Sequence, residues 1–252
     1  MVNFVGAGPG AADLITVRGK ELLENADIII YAGSLVNPVL LDYARESCEI
    51  YNSATMTLEE VTDVMIKGER EGKAVVRLHT GDPAIYGAIR EQMDILDTEN
   101  IEYEVCPGVS SLFGTAAALK AEYTLPEVSQ SVIVTRMAGR TPVPDRESIA
   151  SFAAHHATMV IFLSTGMLEK LSEELIKGGY EPDTPAAIVY KATWDDEKVV
   201  RTTVKDLAES ATKNNITKTA LITVGGFLSS AYERSKLYDP TFTHEFRQGK
   251  EI

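Results

Sequence analysis

Near its start the chain runs Val2-Asn3-Phe4-Val5-Gly6-Ala7-Gly8-Pro9-Gly10-Ala11, a segment that sets the fold class. The apolar run Val2–Val5 reads as a buried strand, Gly6–Gly10 as a tight loop, and Leu14–Leu23 as the helix that follows. The alternation continues with strands at Asp27–Tyr31, Val75–His79 and Tyr103–Val105. Helical spacing covers Pro38–Ala44, Thr57–Gly68 (with Thr57 as its cap), Ile85–Leu96 and Ser110–Leu119. Strand and helix in regular turn predict a parallel sheet covered by helices.

The pattern breaks near Tyr123–Val128 and then restarts. Val132–Thr135, Met159–Leu163, Ala186–Val189, Lys198–Thr203 and Ala220–Val224 read as strands, with helices at Glu147–Ala154, Met167–Gly178 and Lys205–Asn214. Trp194–Glu197 reads as a hairpin turn between two strands, so the second sheet is expected to be mixed. The predicted organisation is two α/β domains, residues 1–125 and 126–252, with the tail from Ser229 packing as coil or in an oligomer interface.

Composition narrows the function classes. The 252 residues carry a formal net charge of −13, against the basic balance usual for nucleic-acid binding. Residues 1–126 hold 9 Lys+Arg against 20 Asp+Glu, so most of the excess acid lies in the first half, on what read as solvated helix faces. Two cysteines supply neither a disulfide framework nor a four-thiolate metal site, and the four histidines lack metal-ligand spacing. The N-terminus reads as having no signal peptide, and no apolar run approaches the ~20 residues of a membrane helix. A cytoplasmic protein is expected, with no membrane partner.

Three glycine- or proline-rich loops fall at expected strand ends: Gly6–Gly10, Gly81-Asp82-Pro83 and Pro107-Gly108-Val109-Ser110-Ser111. In open α/β sheets ligands bind at the carboxyl ends of strands. The first loop matches the loose dinucleotide pattern. However, Pro9 removes an N–H where a pyrophosphate needs donors, and the second strand ends at Tyr31 without a ribose-binding carboxylate. No Gly-Lys-Ser/Thr occurs for a phosphate-cradling P-loop, and no Gly-x-Ser-x-Gly elbow for a serine nucleophile. Arg136 and Arg140, within Thr135–Pro144, are suited to gripping carboxylates. The set reads as an enzyme that positions two molecules without a triad or a resident metal.

In this order and spacing the three loops resemble those of the tetrapyrrole methyltransferases, the two-domain family that acts on uroporphyrinogen III and the precorrins. Tyr31-Ala32-Gly33-Ser34-Leu35-Val36, Arg77-Leu78-His79-Thr80-Gly81-Asp82-Pro83 and Thr135–Pro144 resemble the branch that methylates C11 of precorrin-4. The resemblance implies S-adenosylmethionine (SAM) as cofactor, folded in a cleft between the two α/β domains. Pro9, Gly81, Asp82, Ile85, Ser110 and Ser111 would then contact it from the first domain, and Leu163, Ser164, Ala192, Ala220 and Leu221 from the second. At Ser164 the sequence departs from the Met frequent in the family.

An anionic tetrapyrrole would meet Arg77, His79, Arg90, Arg136, Arg140 and Lys191, with Tyr86 stacking or hydrogen-bonding. No residue is singled out as a general base. A homodimer is typical of the family. The competing readings are a methyltransferase of the same fold acting on precorrin-2, precorrin-3 or a protein or RNA site, and, from another class, an NAD-dependent oxidoreductase.

Overall fold

The structure is a computed structural model and describes residues 1–229 and 232–250. The chain divides into two compact units: Met1–Thr115 joined by Lys191–Glu197, and Ala116–Tyr190 joined by the chain from Lys198 onward.

In the first unit β1 (Val2–Gly6), α1 (Val17–Asn25), β2 (Ile28–Tyr31), β3 (Glu49–Asn52), α2 (Leu58–Arg70), β4 (Val75–His79), α3 (Ile89–Thr98), β5 (Tyr103–Cys106) and α4 (Ser111–Leu119) follow in turn. The division between units falls within α4. The sheet order is β3-β2-β4-β1-β5 and every pairing is parallel. Its central strands β1, β2 and β4 are buried on both faces because helices cover both. Val5, Ile29, Val76 and Leu78 pack on one side with Leu23 and Leu40, while Phe4, Ile30 and Val75 pack on the other with Val61, Met65 and Leu96. Thr57 caps α2 through a reciprocal capping box with Glu60. The register sets Gly6 beside His79 and Val5 beside Cys106, which brings the ends of β1, β4 and β5 together.

The second unit contains β6 (Val132–Arg136), α5 (Ile149–Ala153), β7 (Thr158–Phe162), α6 (Leu168–Lys177), β8 (Pro185–Tyr190), β9 (Lys198–Thr203), α7 (Leu207–Lys213) and β10 (Ala220–Val224). Its order is β6-β7-β10-β8-β9; β6 and β7 are parallel and the remaining pairs antiparallel, the mixed sheet the hairpin reading requires. Met159, Ile161, Leu171, Leu175, Ile188 and Ile222 form its core.

Three local readings change, the first being the opening helix, which starts at Val17 after a 3₁₀ turn at Ala12–Leu14 and not at Leu14. The β3 strand is absent from the sequence prediction: Glu49-Ile50-Tyr51-Asn52 is an edge strand, mostly exposed, with too little apolar patterning. The third helix starts at Ile89, not Ile85, because Tyr86 and Ala88 hold left-handed backbone with φ of 57° and 51°. Among the described tail residues, Lys236–Tyr238 form a 3₁₀ turn, and one Arg247 Nη donates to the carbonyls of Leu237 and Asp239. The tail prediction also covers residues 230, 231, 251 and 252, which lie outside the described residues. No helix among the described residues is long and apolar enough to cross a membrane.

Candidate functional site

In the first unit the three strand-end loops are locked to one another through their backbones. Gly8 N donates to Gly81 O at 3.2 Å and Gly81 N to Gly8 O at 3.0 Å. A Cβ on Gly6 would stand 2.5 Å from Gly108 Cα and 2.6 Å from Gly81 O, so the three loops meet only because no side chain separates them. The Asp82 carboxylate completes the lock: Oδ1 accepts from Ala84 N at 2.8 Å and Oδ2 from Gly108 N at 2.9 Å. Pro9 lies in the first loop, and Ile85 follows Asp82 in the second, its N–H donating to Asp82 O. In the third, buried Ser110 immediately precedes α4, its Oγ accepting from Leu112 N at 3.2 Å and its carbonyl from Phe113 and Gly114. Ser111 is the first residue of that helix.

A strap from the second half of the sequence completes this cluster. Lys191–Glu197 belongs to the first unit, so Ala192, expected on the second-domain side, is instead grouped with Pro9. The reason is Trp194. Its indole Nε1 donates to Pro9 O at 3.2 Å, and its ring lies where a Cβ on Gly10 would be. Ala11 N donates to Thr193 Oγ1 at 2.9 Å, and Asn37 Nδ2 supports Gly10 O from the other side at 2.9 Å. Lys191 sits 4.9 Å over the Trp194 ring and pairs with Asp196 at 2.7 Å.

The second unit gathers its own group at the end of β7. Leu163 is 63% exposed with φ of 52°, a strained position for a Leu. The next residue, Ser164, is fully buried: its Oγ accepts from Met137 N at 2.9 Å and donates to Phe162 O at 2.7 Å. Ala220 and Leu221 are buried in neighbouring β10, and Thr165 Oγ1 donates to Ala220 O. Arg136 is spent on its own loop, donating to Met137 O, Thr141 O and Pro142 O. Arg140 is exposed and makes no hydrogen bond or ion pair with any described residue.

Four of the expected substrate contacts are corrected or qualified. Arg77, 7% exposed, donates Nε to Gln92 Oε1 and Nη1 to Ile30 O, both at 3.1 Å, and burial lowers its pKa to about 10. His79, 3% exposed, is stacked on Phe4, with a pKa pushed down to about 3 by burial and then by Arg77. Neither presents a charge to solvent: residues 75, 77 and 79 share the β4 face that packs with Phe4 and Leu96. Arg90 is exposed on α3 and paired with Asp94, and Arg136 holds its loop. Tyr86 is 45% exposed in the strained turn before α3. Sequence reading placed Trp194 in a hairpin turn and in a loop that the resemblance assigns to a ligand, without naming it as a site residue, and missed Asn37 and Gln92. The single tryptophan and the Asn-Pro pair were the available signals for the first two, and no sequence pattern marks Gln92.

A parallel sheet bearing three interlocked glycine loops, carried in one chain with a mixed five-stranded sheet, defines the class. The chain belongs to the tetrapyrrole (corrin/porphyrin) methylases, whose family model matches residues 1–208. It is 58% identical over 248 residues to the cobalt-precorrin-4 C(11)-methyltransferase of Methanocaldococcus jannaschii, covering 98% of this chain and 96% of that protein. The X-ray structure of a cobalamin biosynthetic cobalt-precorrin-4 methyltransferase superposes with a TM-score of 0.88 at 49% identity, covering 90% and 95% of the two chains. A uroporphyrin-III C-methyltransferase from Thermus thermophilus, complexed with S-adenosylhomocysteine, matches with a TM-score of 0.77 at 26% identity over 90% and 98%.

Proposed function

We propose that the chain is a SAM-dependent methyltransferase that methylates C11 of cobalt-precorrin-4 or precorrin-4 in corrin-ring biosynthesis. The observation that carries this is the near full-length likeness, at 58% identity, to a protein of that named activity.

The residues of the first unit fit the cofactor. Its three loops contain no Lys or Arg and one carboxylate, Asp82, a balance suited to a sulfonium cation. Main-chain groups and the Ser110 and Ser111 hydroxyls provide polar contacts beside them, and the buried Thr80 Oγ1 next to Gly81 has no partner among the described residues. We assign Pro9, Gly81, Asp82, Ile85, Ser110, Ser111 and Ala192 to this role. Leu163, Ser164, Ala220 and Leu221 are assigned to the same ligand on the evidence of the resemblance.

The cofactor supplies an electrophilic methyl group, and the substrate an enamine-like carbon. The protein's task is alignment, which is worth up to about 7–11 kcal/mol of a barrier. The mutually bonded loops are suited to it because they hold their geometry before ligand arrives. Methyl transfer discharges the sulfonium, so exclusion of water favours it. Arg140 and Lys191 are the exposed or half-buried cations assigned to the substrate carboxylates. An oxidoreductase using NAD is disfavoured further by Asp27, whose carboxylate is held by Arg45 and Ala74 N at the start of β2, away from the strand end a ribose would need.

Calorimetric titration with SAM and with NADH, followed by product mass analysis on cobalt-precorrin-4, precorrin-4 and precorrin-3, tests the reading. The expected result is SAM binding and addition of one methyl group to a precorrin-4 form. No response to SAM, or turnover of precorrin-3 alone, would overturn it.

A further inference from the structure

Arg77 is a buried cation whose hydrogen bonds run to an amide and a carbonyl, with no carboxylate partner among the described residues. Desolvating an unpaired guanidinium is costly, so its place in β4 calls for a return. Its neighbour shows what that return is. Arginine only donates, so the Gln92 amide must turn its oxygen to Arg77, which turns its NH₂ group the opposite way. Gln92 Nε2 then donates to Ala88 O at 3.0 Å.

Ala88 belongs to the turn that leads from Gly81-Asp82-Pro83 into α3. This turn is strained: Tyr86 and Ala88 both have positive φ, and a Cβ on Gly87 would overlap the Pro83 carbonyl. Left-handed backbone is costly at non-glycine residues and persists where the surroundings over-determine it. No side chain caps the α3 N-terminus, and the Gln92 amide, held by Arg77, places a side-chain hydrogen bond on Ala88, the last residue of that turn.

We propose that Gln92, oriented by Arg77, is a positioning residue: it fixes the Tyr86–Ala88 turn at the carboxyl edge of the sheet, where Tyr86 contacts the tetrapyrrole. This rests on the function proposed above. It also gives Arg77 a role in substrate recognition without contact: the cation sets an amide, and the amide sets the turn.

Gln92→Glu separates this role from simple packing. An ionised carboxylate keeps Arg77 as a partner, with a stronger bond, but cannot donate to Ala88 O. The expected result is a KM for the tetrapyrrole raised about tenfold, the effect of one lost hydrogen bond, with thermal midpoint and SAM affinity at wild-type values. Amide hydrogen exchange over residues 86–89 should quicken. Gln92→Met, which abandons Arg77 as well, should lower the thermal midpoint in addition. Wild-type KM and wild-type exchange in Gln92→Glu would overturn the proposal. So would a joint fall in thermal midpoint, SAM affinity and kcat, which marks a packing role. The exchange measurement needs no substrate, so inactivity of the wild type on tetrapyrroles would overturn the functional reading while leaving the relay separately testable.

Discussion

The indole N–H of Trp194 donates to the carbonyl of Pro9 at 3.2 Å, across a sequence separation of 185 residues. The bond ties a strap from the second half of the chain to the loop that opens it. Trp194→Phe keeps an aromatic ring in the strap and removes the indole N–H donor. SAM affinity should fall about three- to tenfold, the range of one hydrogen bond, with the thermal midpoint little changed. Trp194 is the single tryptophan, so wild-type emission should shift on SAM titration, and calorimetry supplies the independent affinity. Unchanged emission together with unchanged affinity would place the cofactor elsewhere.

Asp82 uses both carboxylate oxygens to hold two backbone N–H groups, one of them in the Pro107–Ser111 loop. Asp82→Ala leaves both without that acceptor, at about 1–3 kcal/mol for each that stays buried. SAM binding should weaken by roughly ten- to a hundredfold if the loops must be registered to receive it. Asp82→Asn keeps one acceptor and should fall between the two. A lowered thermal midpoint with wild-type SAM affinity would confine Asp82 to folding.

The sheets were legible where both faces of a strand are buried: β4 and β10 lie at Val75–His79 and Ala220–Val224, as the apolar runs predict. The chain was illegible at β3, whose edge position needs no apolar alternation, and at the start of α3, where left-handed backbone at Tyr86 and Ala88 overrides a helical spacing. The three glycine loops announced themselves by composition. The side chains that organise them did not. Whether Arg77 faces solvent or Gln92, and whether Trp194 closes a hairpin or seats on Gly10, depends on packing between segments distant in sequence.

His79 carries a pH signature. Its folded pKa, depressed to about 3 by burial and by Arg77, lies below the unfolded value of about 6.5. Between these values the unfolded chain binds the extra proton, so the contribution to stability is complete above pH 6.5 and declines as pH falls towards 3. The slope in that window is on the order of 1 kcal/mol per pH unit. Urea unfolding of wild type and His79→Phe, which retains the stack on Phe4, should show the acid-side slope reduced in the variant. Equal slopes would mean that His79 is not the titrating group.

Arg140 and Arg136 lie four positions apart and should respond in opposite ways. Arg136 is bound to three carbonyls of the 137–142 segment, so Arg136→Glu should disorder that loop and lower the thermal midpoint. Arg140 has no partner among the described residues, so its reversal leaves the fold as it is. Arg140→Glu should therefore raise KM for a polycarboxylate tetrapyrrole about tenfold or more at low salt, with SAM affinity and thermal midpoint at wild-type values. The effect should shrink with added salt, because an exposed charge acts across a screened distance of about 8 Å at physiological ionic strength. An equal loss of SAM and tetrapyrrole binding in Arg140→Glu would show that the variant had misfolded. An unchanged KM at every salt concentration would remove Arg140 from the substrate's path.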